Sequence, residues 1–519
     1  MKAELYEPTA NEPKMRPAIR DSFLFVPTVG MRSPETLMLE LFREIFFETH
    51  YGNSGAARAL NPDDTDSGQP DGFLYTEKER VALNAFRGRR KETKMSRVNS
   101  YYVPAYPQLA EWAWLRKRSD RVIKSLLFEG AFVQHLWRRG EDAEASGEKQ
   151  KEIAQKTVDA LIGANGYSDS PSGKRDIMAV TLGRDSFLNI DREESINRLC
   201  SKLGHKFVMR VEADELSGRI TDDFLAICDL EPSLSRLIWV QVLMTFLRFA
   251  LPMWLLAQMQ MTKSLHRWLM EAVNNNNIVP EREIVTELTS RNRGLLHPTL
   301  TATREVFSHI EQYMKCRVEI NILFYWLERL EPSFENIESI GLKNGEKRFI
   351  NIEQLLLLAR NNAVKIRGNE RFAVISEGLD IQTFLTREGE QFAAWRNPLL
   401  YGQGKNINEF FRVLYRAESG DESGGHLLVP ENRGASRGFR VFPGQLLLKI
   451  IIYAAAMSKR SGKRGKLILS DVEEHFAQYG IDFSVAADAR SLLMQELQSM
   501  GLLTGSPDAG SSVTVDCPY

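Results

Sequence analysis

A metal-dependent nuclease of the acid-x-lysine type needs carboxylates on adjacent strands to hold magnesium beside a lysine. Glu12-Pro13-Lys14 has that spacing, but it falls in a polar, proline-bearing opening to about Arg20 that reads as an extended arm. Glu212, Asp214 and Glu215 follow a possible strand at residues 206–211 and have no lysine beside them. Gly166 to Lys174 ends in Ser-Gly-Lys like a phosphate loop. Six residues lie between its glycines where four are required, and Arg175 stands where a magnesium-binding Ser or Thr belongs. Gly402-Gln403-Gly404-Lys405 is a dinucleotide fingerprint without its last glycine. HExxH and GxSxG motifs are absent, and His135, His205, His297 and His309 stand alone. The four cysteines, Cys200, Cys228, Cys316 and Cys517, form no CxxC pair and suit reduced thiols in a cytoplasmic protein. The expectation is a non-enzyme with no catalytic residue, no metal and no cofactor; a divergent metal-dependent nuclease stays open as an alternative.

The remaining chemistry is that of cations. Lys plus Arg number 67 against 68 Asp plus Glu, so any electrostatic footprint must come from local clustering. From Asn432 to Ser470 there is no acid, while Arg433, Arg437, Arg440, Lys449, Lys459, Arg460, Lys463, Arg464 and Lys466 all occur. The run from Lys459 to Lys466 reads as a loop, where flexible cations can follow a phosphate backbone without choosing a sequence. Together with Arg490, and leaving Lys449 aside, these cations are the expected DNA contacts. The bland alternative is a solvated basic loop. A second candidate nucleic-acid patch lies between Arg87 and Lys124, with eleven cations against three acids. Arg87, Arg89, Arg90, Lys91 and Arg116 are interleaved there with Tyr101, Tyr102 and Trp112, the mixture that single-stranded sites use for stacking. The competing reading makes Trp112 and Trp114 core residues and the arginines a wetted face.

The elements that must carry the C-terminal cations follow a pattern. Residues 445–458 are apolar nearly all round, as a buried helix is. A short strand over residues 466–469 leads to Ser470, which with Glu473 has capping-box spacing. That helix should stop at Gly480. A third helix from Ser484 to Met500 presents Leu492, Leu493, Leu497 and Met500 on one face, and residues 501–515 alternate around a turn-forming tip at 506–510. Helix, strand, helix, helix, hairpin is the winged helix-turn-helix order. Its third helix offers Arg490, Gln495 and Gln498 against Asp488 and Glu496, and Asp508 sits at the wing tip. That poverty in cations favours protein docking as much as base reading.

At 519 residues, with 43% apolar and 26% charged, the chain is expected to be mainly α and multi-domain. The reading is an N-terminal mixed, basic-aromatic region over 1–145, a central helical domain over 175–416 and the winged helix over 430–519. Residues 22–29 suggest a short strand, Ser33-Pro34-Glu35 a helix start, and residues 52–72 a surface loop. Residues 140–150 suggest a polar hinge, 163–174 a flexible loop and 417–425 a linker. Helical patterns cover residues 192–330, with a break at Asn274–Asn277, then 352–364, 382–396 and 407–415. Residues 237–261 are apolar enough to suggest a membrane span. Arg248 at the centre, Gln241, Gln258 and Gln260 favour a buried core helix instead, with Pro252 expected to kink it. The opening residues lack a charged-then-apolar export pattern, so no membrane association is expected and the location is cytoplasmic.

The helical body, the linker, the segment RGFRVFPGQLLLKIIIYAA and the terminal GIDFSVAADARSLLMQELQSMGLLTGSPDAG together resemble a bacterial defence family. The family comprises accessory proteins of multigene anti-phage systems, those of methylation-associated defence and of phosphorothioation-dependent restriction. The resemblance is carried by residues 430–519. It implies a protein without catalytic residues that works beside an ATPase and a helicase or nuclease, in a restriction-like complex acting on DNA. Three other readings stay open: a protein-docking structural adaptor, a transcriptional regulator and the divergent nuclease.

Overall fold

The computed structural model describes residues 34–47, 122–136, 143–163, 190–203, 215–275, 294–298, 304–313, 352–367, 403–415, 424–433, 436–462, 466–485, 487–504 and 513–519, with single positions between. Among these the protein is mainly helical. In chain order the α-helices are α1 (Pro34–Phe46), α2 (Phe132–Leu136), α3 (Ala143–Ile162), α4 (Arg192–Lys202), α5 (Glu215–Asp229), α6 (Arg236–Asn275), α7 (Ile352–Asn361), α8 (Ala363–Arg367), α9 (Gln403–Phe411), α10 (Gln445–Gly462), α11 (Leu469–Gln478) and α12 (Ala487–Ser499). Two antiparallel hairpins complete it, β1 (Leu428–Arg433) with β2 (Ser436–Val441), and β3 (Leu503–Thr504) with β4 (Thr514–Val515).

Helix α6 is the axis. Its forty residues run unbroken through Pro252, and they pack against α1, α5, α7 and α10. It is long and apolar enough to cross a membrane, and 89% of its most apolar window is buried within the protein. Trp239, Trp254, Trp268, Phe246 and Phe249 are among its fully buried side chains, which explains its apolar character as core packing. Gly130 lets the chain approach this core, since a Cβ there would lie 2.6 Å from the Trp254 ring.

The charge that stands out inside this helix has a structural use. Arg248 is buried and donates to the carbonyls of Val413 and Tyr415 (2.6 Å to Tyr415), at the end of the helix that begins with α9. Arg236, at the start of α6, donates to the carbonyls of Ala160 and Leu161 in the last turn of α3. The last carbonyls of a helix have no partner within it. Each arginine supplies that partner from α6 and fixes another helix to the axis.

Helix α3 begins at Ala143, so the expected hinge at 140–150 lies largely within a helix. Its buried Ile153, Val158 and Leu161 hold it to its neighbours, and Arg192 of α4 clamps it by a two-point ion pair with Asp159 (2.6 and 2.8 Å). Packing outweighs the polar composition of its first turns. Asp191 caps α4 by accepting the Glu194 N–H at 2.9 Å. The helix expected after Pro34 is present as α1, and it is buried along its length with Glu40 and Glu44 included. Glu40 accepts the Ile123 N–H at 2.8 Å, at the start of a π-helical segment (Ile123–Ala131) that continues into α2. The expected strand at 22–29, the loop at 52–72, the helix at 382–396 and the possible strand at 206–211 lie outside the described residues. So do the loop at 164–174 and the linker up to residue 423.

Residues 424–444 return the chain to the axis. Gly444 donates its N–H to His426 O and Phe442 to Leu427 O, both at 2.8 Å. A Cβ on Gly444 would lie 2.2 Å from Gly424 O, so backbone must move to admit it. Gly444→Ala is therefore expected to destabilise the protein by about 1–3 kcal/mol, the usual range for overpacking. Gly147 is the control: an exposed helical glycine with nothing within 4 Å of its added Cβ. Gly147→Ala should be neutral or stabilising by up to about 1 kcal/mol. Urea midpoints of the two variants check the pair; equal midpoints would contradict the packing argument.

Candidate nucleic-acid interface

The acid-free cationic segment spans three elements. Its first part lies in the hairpin β1–β2, which the residue pattern did not reveal and whose first strand also carries Glu431 just before that segment begins. The register pairs Leu428 with Val441, Val429 with Arg440 and Arg433 with Ser436. Positions 433 and 440 therefore fall on one face of the ribbon and position 437 on the other. The base is fixed to the body by a parallel bridge between Leu428 and Tyr415, and the Tyr415 ring stacks on Phe439 at 4.1 Å. The Arg440 guanidinium lies over the Phe442 ring, 5.3 Å from its centroid.

Helix α10 follows the hairpin at once and carries Lys459 and Arg460 in its last turns. Lys463 and Arg464 lie outside the described residues, and Lys466 is exposed just before α11. The eighteen residues of α10 span roughly 27 Å at 1.5 Å per residue. The helix is held near both ends. Leu447 donates its N–H to Gly424 O at 3.2 Å, Tyr453 donates its hydroxyl hydrogen to Ala226 O at 3.2 Å, and Arg219 of α5 donates to the Ser458 hydroxyl at 2.7 Å.

Beneath α10 and α11 lies a buried polar knot. Asp223 of α5 accepts the Tyr479 hydroxyl at 2.7 Å and contacts His475 Nε2 at 2.8 Å, with the Arg219 guanidinium 3.9 Å away. Burial, followed by the neighbouring Asp223 charge, holds the Tyr479 phenol well above its ordinary pKa, so it remains a donor. Around the knot Phe249 packs on Phe476 and Tyr479, at 6.3 and 4.8 Å between ring centres. The C-terminal helices thus share one apolar core with the body.

The elements after α10 depart from expectation in detail. Residues 466–469 form no full strand; Ile468 alone makes an antiparallel bridge, to Thr514. Helix α11 starts two residues early, at Leu469 with Ile468 in the cap position, and Asp471 closes its first turn by accepting the Ile468 N–H at 2.9 Å. Ser470 is thus inside the helix, and the expected Glu473 side of a capping box is occupied elsewhere. Gly480 ends the helix at a φ of 86°, as its conformational freedom allows. Ser484 sits in a 3-10 turn (Phe483–Val485) with its N–H and hydroxyl on Asp482, and α12 begins at Ala487. Leu493 and Leu497 are buried as the spacing required.

Arg490 has a partner within the fold. Its guanidinium makes a two-point ion pair with Glu473, at 2.5 and 3.1 Å, and ties α12 to α11. Its charge and two of its donors are committed to another side chain. The exposed positions of α12 are Ala487, Asp488, Ser491, Gln495, Gln498 and Ser499, among which there is no cation.

Of the second candidate patch, Arg87, Arg89, Arg90, Lys91, Tyr101, Tyr102, Trp112 and Arg116 lie outside the described residues. Tyr106, also in that stretch, is described: it is buried and its ring covers Arg236 at 4.8 Å. Among the described residues no group of three or more His, Cys, Asp or Glu is placed to hold a metal ion. His297 faces Glu305 at 3.1 Å, and His309 contacts Gln260 at 2.6 Å. No family model, no curated protein and no solved structure matches the chain.

Proposed function

We propose that this protein is a non-catalytic, DNA-contacting component of a cytoplasmic bacterial anti-phage defence complex. It touches the phosphate backbone through Arg433, Arg437 and Arg440 of the hairpin, through Lys459 and Arg460 at the end of α10, and through Lys463, Arg464 and Lys466 beyond it. The helical body docks partner proteins, an ATPase and a helicase or nuclease. The observation that carries the DNA reading is the placement of an acid-free cationic segment at both ends of a helix fixed to the body. The winged-helix reading of the C-terminal unit is supported by the order α10, Ile468, α11, α12, β3, β4 and by the bridge of Ile468 to Thr514, which adds a third strand position beside the hairpin.

Arg490 is left out of the contact set because Glu473 neutralises it. Contacts are then to phosphate and not to base edges, so binding is sequence-independent and steeply dependent on salt. A protein with about six phosphate contacts loses roughly 10³-fold in affinity between 50 and 200 mM salt. The test is a DNA titration of the full chain at those two salt concentrations, beside the Arg433→Glu, Arg437→Glu, Lys463→Glu, Arg464→Glu variant. Reversal should weaken binding at 50 mM salt by roughly 100-fold or more and flatten the salt dependence. Unchanged affinity with an intact fold rejects the reading.

A second reading, a protein-docking adaptor without DNA binding, is favoured by one observation. The outward positions of α12 are polar, uncharged or acidic, where a base-reading helix carries cations. Absence of DNA binding by the full chain at low salt selects it.

A further inference from the structure

Resting on the docking part of the reading above, and independent of its DNA part, we infer that the outward face of α7 and α8 is a docking surface for an acidic amphipathic helix of a partner protein. The face stands on one nearly continuous helical cylinder. Asn362 donates its N–H to Leu358 O at 3.1 Å and Ile366 donates to Asn362 O at 2.9 Å, so helical bonding carries from α7 into α8. Leu355, Leu356, Ala359, Ala363 and Ile366 are buried, and both helices pack on α6. At 3.6 residues per turn these five positions occupy an arc of about 100°.

The opposite side carries apolar residues that the core does not use. Leu357 is 43% exposed and Val364 is 76% exposed. Seven residues apart, they lie on one line along the cylinder, separated by about 10 Å. Cations border that line on both sides. Lys365 lies on one flank beyond exposed Asn361, while partly exposed Arg360 and exposed Arg367 lie on the other. Residues 354–369 contain no acid. Among the described residues Arg360 and Lys365 form no ion pair. Arg367 is partly committed, since it donates to Asn274 O at 3.3 Å at the end of α6.

The charge pattern selects the occupant. An aliphatic line between cations complements a helix whose own apolar stripe is bordered by Asp or Glu. Nucleic acid is the poorer match, because Leu357 and Val364 offer neither a donor for phosphate nor a ring for a base. A membrane is poorer too. The broad apolar face of these helices is already packed on α6, which leaves two aliphatic side chains to insert. Leu237 and Ile238, at the start of α6, are another exposed apolar pair. The exposed positions around them, Ser233, Ser235 and Gln241, are uncharged, so nothing there selects a partner.

The experiment measures binding of a fluorescent helical peptide to the full-length protein. The peptide carries a leucine stripe flanked by glutamates, and its counterpart has lysine at every glutamate. The acidic peptide should bind at least about tenfold more tightly than the lysine peptide, and should weaken between roughly 50 and 300 mM salt as screening grows. Leu357→Gln with Val364→Gln, and separately Arg360→Glu with Lys365→Glu, should each weaken it by about tenfold or more. Circular dichroism checks that both variants keep the fold, and their DNA affinity should equal that of the parent. Equal affinity for the two peptides, or binding untouched by both variants, overturns the inference. So does capture of phosphatidylserine vesicles, or self-association, that is lost in the Leu357→Gln, Val364→Gln variant; these assign the face to a membrane or to a second copy. Chemical crosslinking of the protein in cells that encode it separates this inference from the docking reading. Crosslinks to other proteins that all avoid Lys365 overturn the inference alone, and the absence of any crosslink to another protein overturns the docking reading itself.

Discussion

Asp223→Ala should destabilise the protein by about 3–5 kcal/mol, the range seen when one partner of a buried charged cluster is removed. The carboxylate is 2% exposed, and it is the shared acceptor of the Tyr479 hydroxyl and the partner of His475. Its loss leaves a phenol, an imidazole and the Arg219 guanidinium facing an apolar wall that includes Phe249. Tyr479→Phe removes only a donor and should cost about 1 kcal/mol. The double variant should be less destabilised than the two single losses added together, since the hydroxyl no longer needs the acceptor. Urea unfolding gives the three midpoints, and amide exchange over residues 469–479 locates the effect at α11. A loss below about 1 kcal/mol for Asp223→Ala would mean that apolar packing alone holds the C-terminal helices.

Arg236 should matter comparably. It is buried, and burial, opposed by the Glu231 charge, lowers its pKa to about 10, so it is still charged at neutral pH. It donates to Ala105 O at 2.7 Å, to Ala160 O at 2.6 Å and to Glu231 at 3.3 Å, between the rings of Tyr106 and Trp239. Arg236→Met strands three carbonyls and takes from buried Glu231 the guanidinium that faces it. The expected loss is about 3–5 kcal/mol. Arg236→Lys should rescue little, because a point charge cannot span carbonyls from two segments while lying flat between two rings. Adding Glu231→Gln to Arg236→Met should recover part of the loss by removing the second charge. If lysine restores full stability, the planar fork is not what the site requires.

What was legible in the residues follows from local physics. Leu37, Leu41 and Ile45 at helical spacing marked α1, and the apolar run from Gln445 marked α10 as buried. Gly480 marked a helix end because few other residues adopt its backbone angles. Arg248 marked a core helix by its unsuitability for lipid, although its partners, carbonyls 165 and 167 residues away, had no local signature. The hairpin β1–β2 was not legible: Pro430 and Gly438 interrupt any alternation, and the pairing draws on a two-residue connection at 434–435 without the usual asparagine or aspartate. The candidate site was legible as a list of cations and not as an arrangement. Composition could mark Arg490 as a cation in the third helix, but only the fold brings Glu473 to it.

The shared core has a consequence for how the protein is made. Asp223 and Phe249 are completed by His475, Phe476 and Tyr479, and the Asp223–His475 contact closes over 252 positions of sequence. At about 5–20 residues per second, the ribosome needs roughly 10 to 50 s to deliver the covering helix after α5 has emerged. During that interval one side of α6, the one described helix long and apolar enough to cross a membrane, faces water with its aromatic rings bare. The nascent chain is then an aggregation hazard and a substrate for chaperones. Synthesis slowed between α6 and α11 should lower the soluble yield even when the finished fold is stable.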